Sequence, residues 1–317
     1  MGPCSAETRE QVIATAGALK DICGTSFIFR AGVWKPRTRP DTFQGVGAPA
    51  LEWFREVKDT FGMEIATEVA TPEHVEAALK AGIDYLWIGA RTSANPLAVQ
   101  AIADSILDFR FKIFDLKGIF IKNPVNADAE LWLGNIARLE QTGVPVMAIH
   151  RGCNHQPCWS MAHKVRTARP DIPMLLDPSH MSGDAAQVPG LLKKVAELGL
   201  DGAMIEVHAH PEQALSDRKQ QIRPDEIGDW RLEIEDLKDT ELNWLRAEID
   251  ELDERLWDTI AARMDVSRRI GEWKKEHGVA PLQPERYKEI VDRIKDKGDF
   301  ALRIWEIIHE ESLKQQK

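Results

Sequence analysis

From Ser26 to His208 the chain repeats one phrase: a short β-rich apolar run, a turn of polar, Gly or Pro residues, then a helical stretch. A strand followed by a helix, many times over, is the pattern of a parallel sheet covered by helices. Seven runs read as strands: residues 26–30, 63–68, 85–89, 118–121, 145–149, 173–176 and 202–207. Helices are expected between them, for example over 49–60, 72–81, 96–108, 127–142 and 185–198, several opening with Pro or a capping Asp or Thr. Gly2-Pro3-Cys4-Ser5 reads as a loop that follows a strand, so an eighth strand is expected ahead of Gly2. Eight such units make a (β/α)8 barrel of roughly 200 to 250 residues. Neither a GxGxxG fingerprint nor a P-loop favours an open, doubly wound sheet.

After Pro224 the texture changes. Strands vanish, charge density rises, and Leu242, Leu245, Ile249, Leu252, Leu256 and Ile260 recur at three- and four-residue spacing. That period predicts one long amphipathic helix over residues 240–277, broken by 278–284 and followed by shorter helices at 285–295 and 300–315. The chain therefore divides into a barrel domain, 1–230, and an all-α domain of three helices, 236–317. A helix of about 38 residues is roughly 57 Å long, too long for a small domain to cover, which predicts pairing with a second chain.

With 317 residues and 43% apolar content, two cores can be filled. The net charge of −10 argues against a general affinity for nucleic acid or anionic membrane, so anionic ligands must meet local clusters of Arg and Lys. No uninterrupted apolar window nears the roughly 18 residues of a membrane span, and the N-terminus lacks signal-peptide character. A cytoplasmic protein is expected. Cys4, Cys23, Cys153 and Cys158 form no CxxC pair, which argues against a disulfide framework but leaves a thiolate ligand open.

In a barrel of this kind, reactive residues sit at the C-terminal ends of the strands. The charges here fall at those points: Arg30 and Lys35, Glu68, Arg91, Lys122, Arg151, Asp177 with His180, and Glu206. Five cations converging on one mouth point to phosphorylated or carboxylated substrates. Cys4, His180, Glu206 and Asp217 become neighbours once a barrel closes. Their mixed sulfur, nitrogen and oxygen donors suit a divalent Mn, Fe, Co or Zn ion better than Mg or Ca.

At this point a resemblance emerges. Gly2-Pro3-Cys4-Ser5-Ala6-Glu7, Lys35-Pro36-Arg37-Thr38, Gly89-Ala90-Arg91, Lys122-Asn123-Pro124, His150-Arg151-Gly152, Asp177-Pro178-Ser179-His180 and Ala214-Leu215-Ser216-Asp217 resemble the motif series of 3-deoxy-D-arabino-heptulosonate 7-phosphate (DAHP) synthase, in its β-type subgroup. The resemblance implies condensation of phosphoenolpyruvate with erythrose 4-phosphate. It assigns Arg30, Arg91, Lys122 and Arg151 to phosphoenolpyruvate, and Lys35, Pro36, Arg37 and Thr38 to the aldose phosphate, with Lys35 and Lys122 also catalytic. Cys4, His180, Glu206 and Asp217 would hold the metal. The sister octulosonate 8-phosphate synthases typically carry Lys-Ala-Asn where this chain has Lys35-Pro36-Arg37-Thr38, which favours the four-carbon aldose.

On the long helix, Arg246, Arg263 and Lys274 are separated by 17 and 11 residues, within roughly 20° of whole turns, so they share one side. Leu245-Arg246, Ile249-Asp250, Arg263, Ile270-Gly271, Lys274, Gln283 with Arg286, Glu311-Ser312 and Gln316 resemble the all-helical chorismate mutase. That resemblance implies carboxylate binding by Arg246, Arg263 and Arg286, ether-oxygen contacts from Lys274 and Gln316, further substrate contacts from Gln283 and Ser312, and a homodimer in which Arg246 serves the partner's pocket. Tyr287 stands where one branch of that family has an acid. Fusion of the two modules implies feedback through the helical one; the alternative is a helical segment that only dimerises and senses ligand.

Overall fold

The computed structural model describes residues 1–36, 41–110, 115–227 and 240–316. Seven parallel strands, β1 (Ile28–Arg30), β2 (Glu64–Val69), β3 (Tyr85–Ile88), β4 (Gly118–Lys122), β5 (Val146–His150), β6 (Met174–Leu176) and β7 (Gly202–Ala203), pair in sequence order. The helices of this part are α1 (Arg9–Cys23), α2 (Leu51–Phe61), α3 (Pro72–Lys80), α4 (Ala90–Ser93), α5 (Pro96–Arg110), α6 (Ala129–Glu140), α7 (Trp159–Ala168), α8 (Pro178–Ser182) and α9 (Val188–Glu197). Side-chain oxygens of Thr8, Thr71, Asp128 and Asp177 accept backbone N–H groups at the starts of α1, α3, α6 and α8, which fixes where each helix begins.

Alternation along the strands separates two cores. Trp87, Phe120, Ile149, Ala66 and Met204 pack together inside the ring, while their neighbours Leu86, Ile88, Ile119, Ile121 and Ala148 belong to the larger cluster beneath the helices. Residues 1–6 themselves lie between β1 and the segment after β7: Arg30 N–H donates to Met1 O (2.9 Å), Ala6 N–H to Gly32 O (2.9 Å) and Val207 N–H to Gly2 O (2.9 Å). Gly2, at φ +146°, passes so close to the Arg30 backbone that no side chain fits there. The Pro3-Cys4 step, read from sequence as post-strand loop, lies in the segment that closes the ring on β1 and on the chain after β7.

Three further helices follow: α10 (Thr240–Glu276), α11 (Pro284–Lys295) and α12 (Asp299–Gln315). The chain forms two compact units, Met1–Glu248 and Ile249–Lys317. The boundary expected between 230 and 236 lies outside the described residues; the first turns of α10 belong to the barrel unit because they pack on α7 and α9. Trp244 stacks on His163 (centroids 5.2 Å apart) and meets Trp159 edge-on (6.2 Å), Glu248 Oε1 lies 2.5 Å from His163 Nδ1, and Asn243 donates to Glu197 O (2.9 Å). Farther along α10, Gly271 admits α12: a side chain there would meet Gln316 Cα at 2.5 Å. Among the described residues, no helix is long and apolar enough to cross a membrane.

Buried His150 carries a pH consequence. It lies between Trp132 and Trp159 (centroids 6.3 and 5.3 Å), and neither ring nitrogen has a hydrogen-bond partner. Burial first, then the Arg151 charge, lowers its pKa to about 3. The unfolded imidazole takes up a proton near pH 6.5. Between these values the folded chain binds fewer protons, so stability falls as pH falls through that window. His150→Phe is expected to remove this contribution: from pH 7 to pH 5 the variant should lose roughly 2 kcal/mol less stability than the parent in denaturant titrations. Equal losses would show that His150 is not held neutral.

Candidate active sites

The strand ends deliver the barrel's charges to one cavity of about 150 Å³, lined by Arg30, Lys35, Arg91, Lys122 and Arg151 together with Pro36, Glu68, His155, His180, Asp217 and Gln220. The five cations picked out in the sequence therefore do meet. Arg37 and Thr38 lie outside the described residues.

Arg30 and Lys122 are held closely by carboxylates. Arg30 (2% exposed) donates to Glu206 Oε1 (2.8 Å) and to Pro3 O (3.2 Å), with its guanidinium over the Trp87 ring (4.4 Å). Lys122 donates to Asp177 Oδ2 at 2.6 Å. Asp177 also receives the His180 backbone N–H (3.0 Å) and lies 2.9 Å from His180 Nδ1, so it orients that ring. Burial alone would raise the Asp177 pKa, but His180 and Lys122 outweigh it and hold the carboxyl well below its usual range. Burial likewise opposes ionisation of Glu206, and His180, Arg30 and Lys35 prevail, lowering its pKa. Arg151 is steered by its backbone N–H to Asn123 Oδ1 (2.7 Å) and by guanidinium donation to Gly152 O and His180 O (3.3 and 3.4 Å).

One donor atom each from Cys4, His180, Glu206 and Asp217 falls within 4.8 Å of every other. Donors bound to one ion at about 2.0–2.3 Å lie at most about 4.6 Å apart, so this quartet needs little contraction to grip a metal. A thiol, an imidazole and two carboxylates suit a borderline transition ion. Asp217 reaches Cys4 Sγ (3.1 Å) from a left-handed backbone, φ +45°, a conformation uncommon outside glycine that places its carboxylate inward. Lys35 Nζ stands 3.1 Å from Cys4 Sγ and 3.8 Å from Glu68. Burial, then the charge of Glu206, pushes the Cys4 thiol above its ordinary range, so a cation must displace its proton.

Several supporting residues escaped the sequence reading. Glu7 accepts the backbone N–H groups of Leu215 (2.9 Å) and Ser216 (3.3 Å), tying the first loop to the one that carries Asp217. Gln221 Oε1 accepts from Cys4 N–H (2.9 Å) while its amide donates to Ser216 O (2.8 Å). Gln220, three residues after Asp217, donates to Glu206 Oε2 at 2.8 Å, so Arg30 and Gln220 clamp the two oxygens of that carboxylate. A polar residue shortly after a candidate ligand was the available signal. Gln220→Leu is expected to weaken divalent-metal affinity about 10- to 100-fold, measured by competition with a chromogenic chelator. Unchanged affinity would mean the clamp does not orient Glu206.

In the helical unit, Arg263 donates to Ser312 Oγ and to Ile308 O (3.4 Å), and Lys274 donates to Gln316 Oε1 (3.0 Å) and Pro281 O (2.6 Å). Four of the residues selected from sequence are thereby joined across α10 and α12. Others are not drawn in: Arg286 is exposed and paired with Glu289 (2.9 Å), Gln283 is exposed at the start of α11, and Arg246 is exposed in the barrel unit.

Comparison with known proteins agrees with both halves. The model of the DAHP synthetase I family matches residues 1–242, and that of chorismate mutase type II matches 245–317. A phospho-2-dehydro-3-deoxyheptonate aldolase of Thermotoga maritima is 30% identical over 234 residues, 70% of this chain; the chain spans only 64% of that relative's length. A 2-dehydro-3-deoxyphosphooctonate aldolase of Azoarcus sp. strain BH72 is 28% identical, covering 68% of this chain and 81% of its own. The crystal structure of the Thermotoga maritima DAHP synthase superposes with a TM-score of 0.60 at 28% identity, over 71% of this chain and 64% of that one. The chain belongs to the DAHP synthetase I family, and a chorismate mutase type II domain follows its barrel.

Proposed function

We propose that the barrel condenses phosphoenolpyruvate with erythrose 4-phosphate, giving DAHP and phosphate, and that the helical unit rearranges chorismate to prephenate. The convergence of five cations on one cavity, which His180 and Asp217 of a metal-competent quartet also line, is the observation that carries the first half. Arg91, Lys122 and Arg151, with Arg30 behind them, hold the phosphate and carboxylate of phosphoenolpyruvate; Lys35, Pro36, Arg37 and Thr38 hold the aldose phosphate. These fixed charges keep two mutually repelling polyanions close enough to react. Cys4, His180, Glu206 and Asp217 would hold a divalent metal, which would supply Lewis acidity toward the aldehyde. C3 of the enol then attacks the aldehyde carbon, water adds at C2, and phosphate leaves by C–O cleavage.

Relatives that act on octulosonates make the aldose the point to test. Phosphate release from phosphoenolpyruvate should be fast with the four-carbon aldose phosphate and slow with a five-carbon one. The reverse preference would assign the barrel to the octulosonate reaction.

For the helical unit, Arg263, Lys274, Ser312 and Gln316 form the substrate-facing group, with Arg286 of α11 binding carboxylate and Gln283 adding a further substrate contact. No nucleophile or general base is required; restraint and electrostatic stabilisation of the polarised transition state suffice. Arg246 stands seventeen residues from Arg263, about 25 Å of helix, so it reaches such a site only from a second chain. A homodimer is supported by α10 itself. Leu245, Ile249, Leu252, Leu256, Val266, Ile270 and Trp273 are exposed, and their alternating four- and three-residue spacing, with Thr259 and Arg263 filling the remaining places, is a coiled-coil seam. Feedback through this unit predicts that prephenate lowers phosphate release; unchanged activity at saturating prephenate would refute that part.

A further inference from the structure

His309, Ser312 and Gln316 are spaced three and four residues apart on α12 and therefore share one face of the helix. Ser312 accepts from Arg263 and Gln316 accepts from Lys274, so this face is turned toward the cations of α10. His309 stacks on Trp305 (centroids 4.8 Å, planes 16° apart) and meets Tyr287 of α11 at 5.1 Å. Its Nε2 is buried and has no hydrogen-bond partner. An unmade hydrogen bond on a buried nitrogen is unfavourable and calls for a specific explanation. Burial first, then the Arg263 and Lys274 charges, lowers the pKa of the ring, so near neutral pH it is an uncharged imidazole among cations.

We infer that His309 is a specificity-determining residue of the helical site, whose Nε2 hydrogen-bonds the ring hydroxyl of the substrate while Arg263 and Lys274 take its anionic groups. This rests on the reading that the substrate is chorismate. The division follows from charge. A neutral ring framed by Trp305 and Tyr287 gains little from a carboxylate that two adjacent cations bind better, whereas an uncharged hydroxyl matches it as donor or acceptor. Tyr287, standing where one branch of the family has an acid, removes an anionic acceptor from this wall and leaves the contact to the imidazole.

The test compares chorismate with its analogue lacking the ring hydroxyl, on the full chain. Wild type should prefer chorismate in kcat/KM. His309→Phe keeps the stack on Trp305 and Tyr287 but removes both nitrogens; it should lower kcat/KM for chorismate about tenfold and leave the deoxy analogue unchanged, erasing the preference. His309→Gln, which restores a polar amide, should recover part of it. If His309→Phe discriminates as strongly as wild type, the inference is overturned, because His309 then acts only through packing. If wild type does not turn over chorismate at all, the reading of the helical unit falls, and this inference with it.

Discussion

Substitution of His180 by alanine, or chelation by EDTA, is expected to lower phosphate release from phosphoenolpyruvate and the aldose phosphate about a thousandfold, on the order of 4 kcal/mol of transition-state stabilisation. His180 is the informative candidate ligand because its loss spares the framework. The Lys122–Asp177 pair at 2.6 Å and the Arg30–Glu206 pair at 2.8 Å are made without it. Its Nε2 lies 3.6 Å from Glu206 Oε1 while Nδ1 rests on Asp177, so the ring is already aimed into the quartet. Metal uptake should also release protons. The Cys4 thiol is held above its ordinary range and keeps its proton at neutral pH, so a cation that takes the thiolate expels about one proton per ion. Affinity must then rise with pH. Calorimetry in two buffers of different ionisation enthalpy reads this directly, and Cys4→Ser should abolish the difference. Full synthase activity in EDTA-treated protein freed of metal would remove the metal from the mechanism.

Lys274→Ala should reduce chorismate turnover about 10²- to 10³-fold in kcat, the loss typical when one preorganised charge or donor at a polarised transition state is removed. Lys274 donates from its side-chain Nζ to Gln316 Oε1 and Pro281 O, but these contacts are few and partly exposed, so the unit should stay folded. Synthase activity in the same preparation serves as the internal control. The competing idea, a helical module that only dimerises and senses ligand, requires equal chorismate turnover in wild type and variant. An equal rate would therefore leave Lys274 without a catalytic role.

What the sequence conveys, and what it withholds, follows from which interactions are periodic. Strands β2, β3, β4 and β5 fall within a residue or two of the runs read from composition, because each is a continuous apolar stretch bounded by turn residues. The cations and the quartet were legible because barrel topology alone requires strand ends to converge, even for Cys4 and Asp217, which are 213 residues apart. Pairings made by a single polar contact leave no such trace. Nothing periodic marks Glu7 as the acceptor for Leu215 and Ser216, Gln220 as the second hand on Glu206, or His150 as a neutral ring between two tryptophans. The bridges that residues 1–6 make to both sides of the ring were also concealed, because they are isolated pairs rather than part of a strand-like apolar run. On α10 the exposed apolar stripe was readable, while the docking of Trp244 against His163 depended on tertiary contacts that helical periodicity cannot express.

The placement of Cys4 on that closing segment would give a bound ion a second task. Three of the four donors, Cys4, Glu206 and Asp217, come from the segment that shuts the ring and from the chain after β7, so a shared ion would fasten the seam of the barrel by its own coordination bonds. Tight binding to the folded chain alone adds stability in proportion to the logarithm of free ion concentration, about 2.7 kcal/mol at a hundredfold excess over the dissociation constant. Amide hydrogens of Gly32 and Val207, which donate to the two sides of that segment, would then exchange more slowly as metal is added, long before any substrate is present.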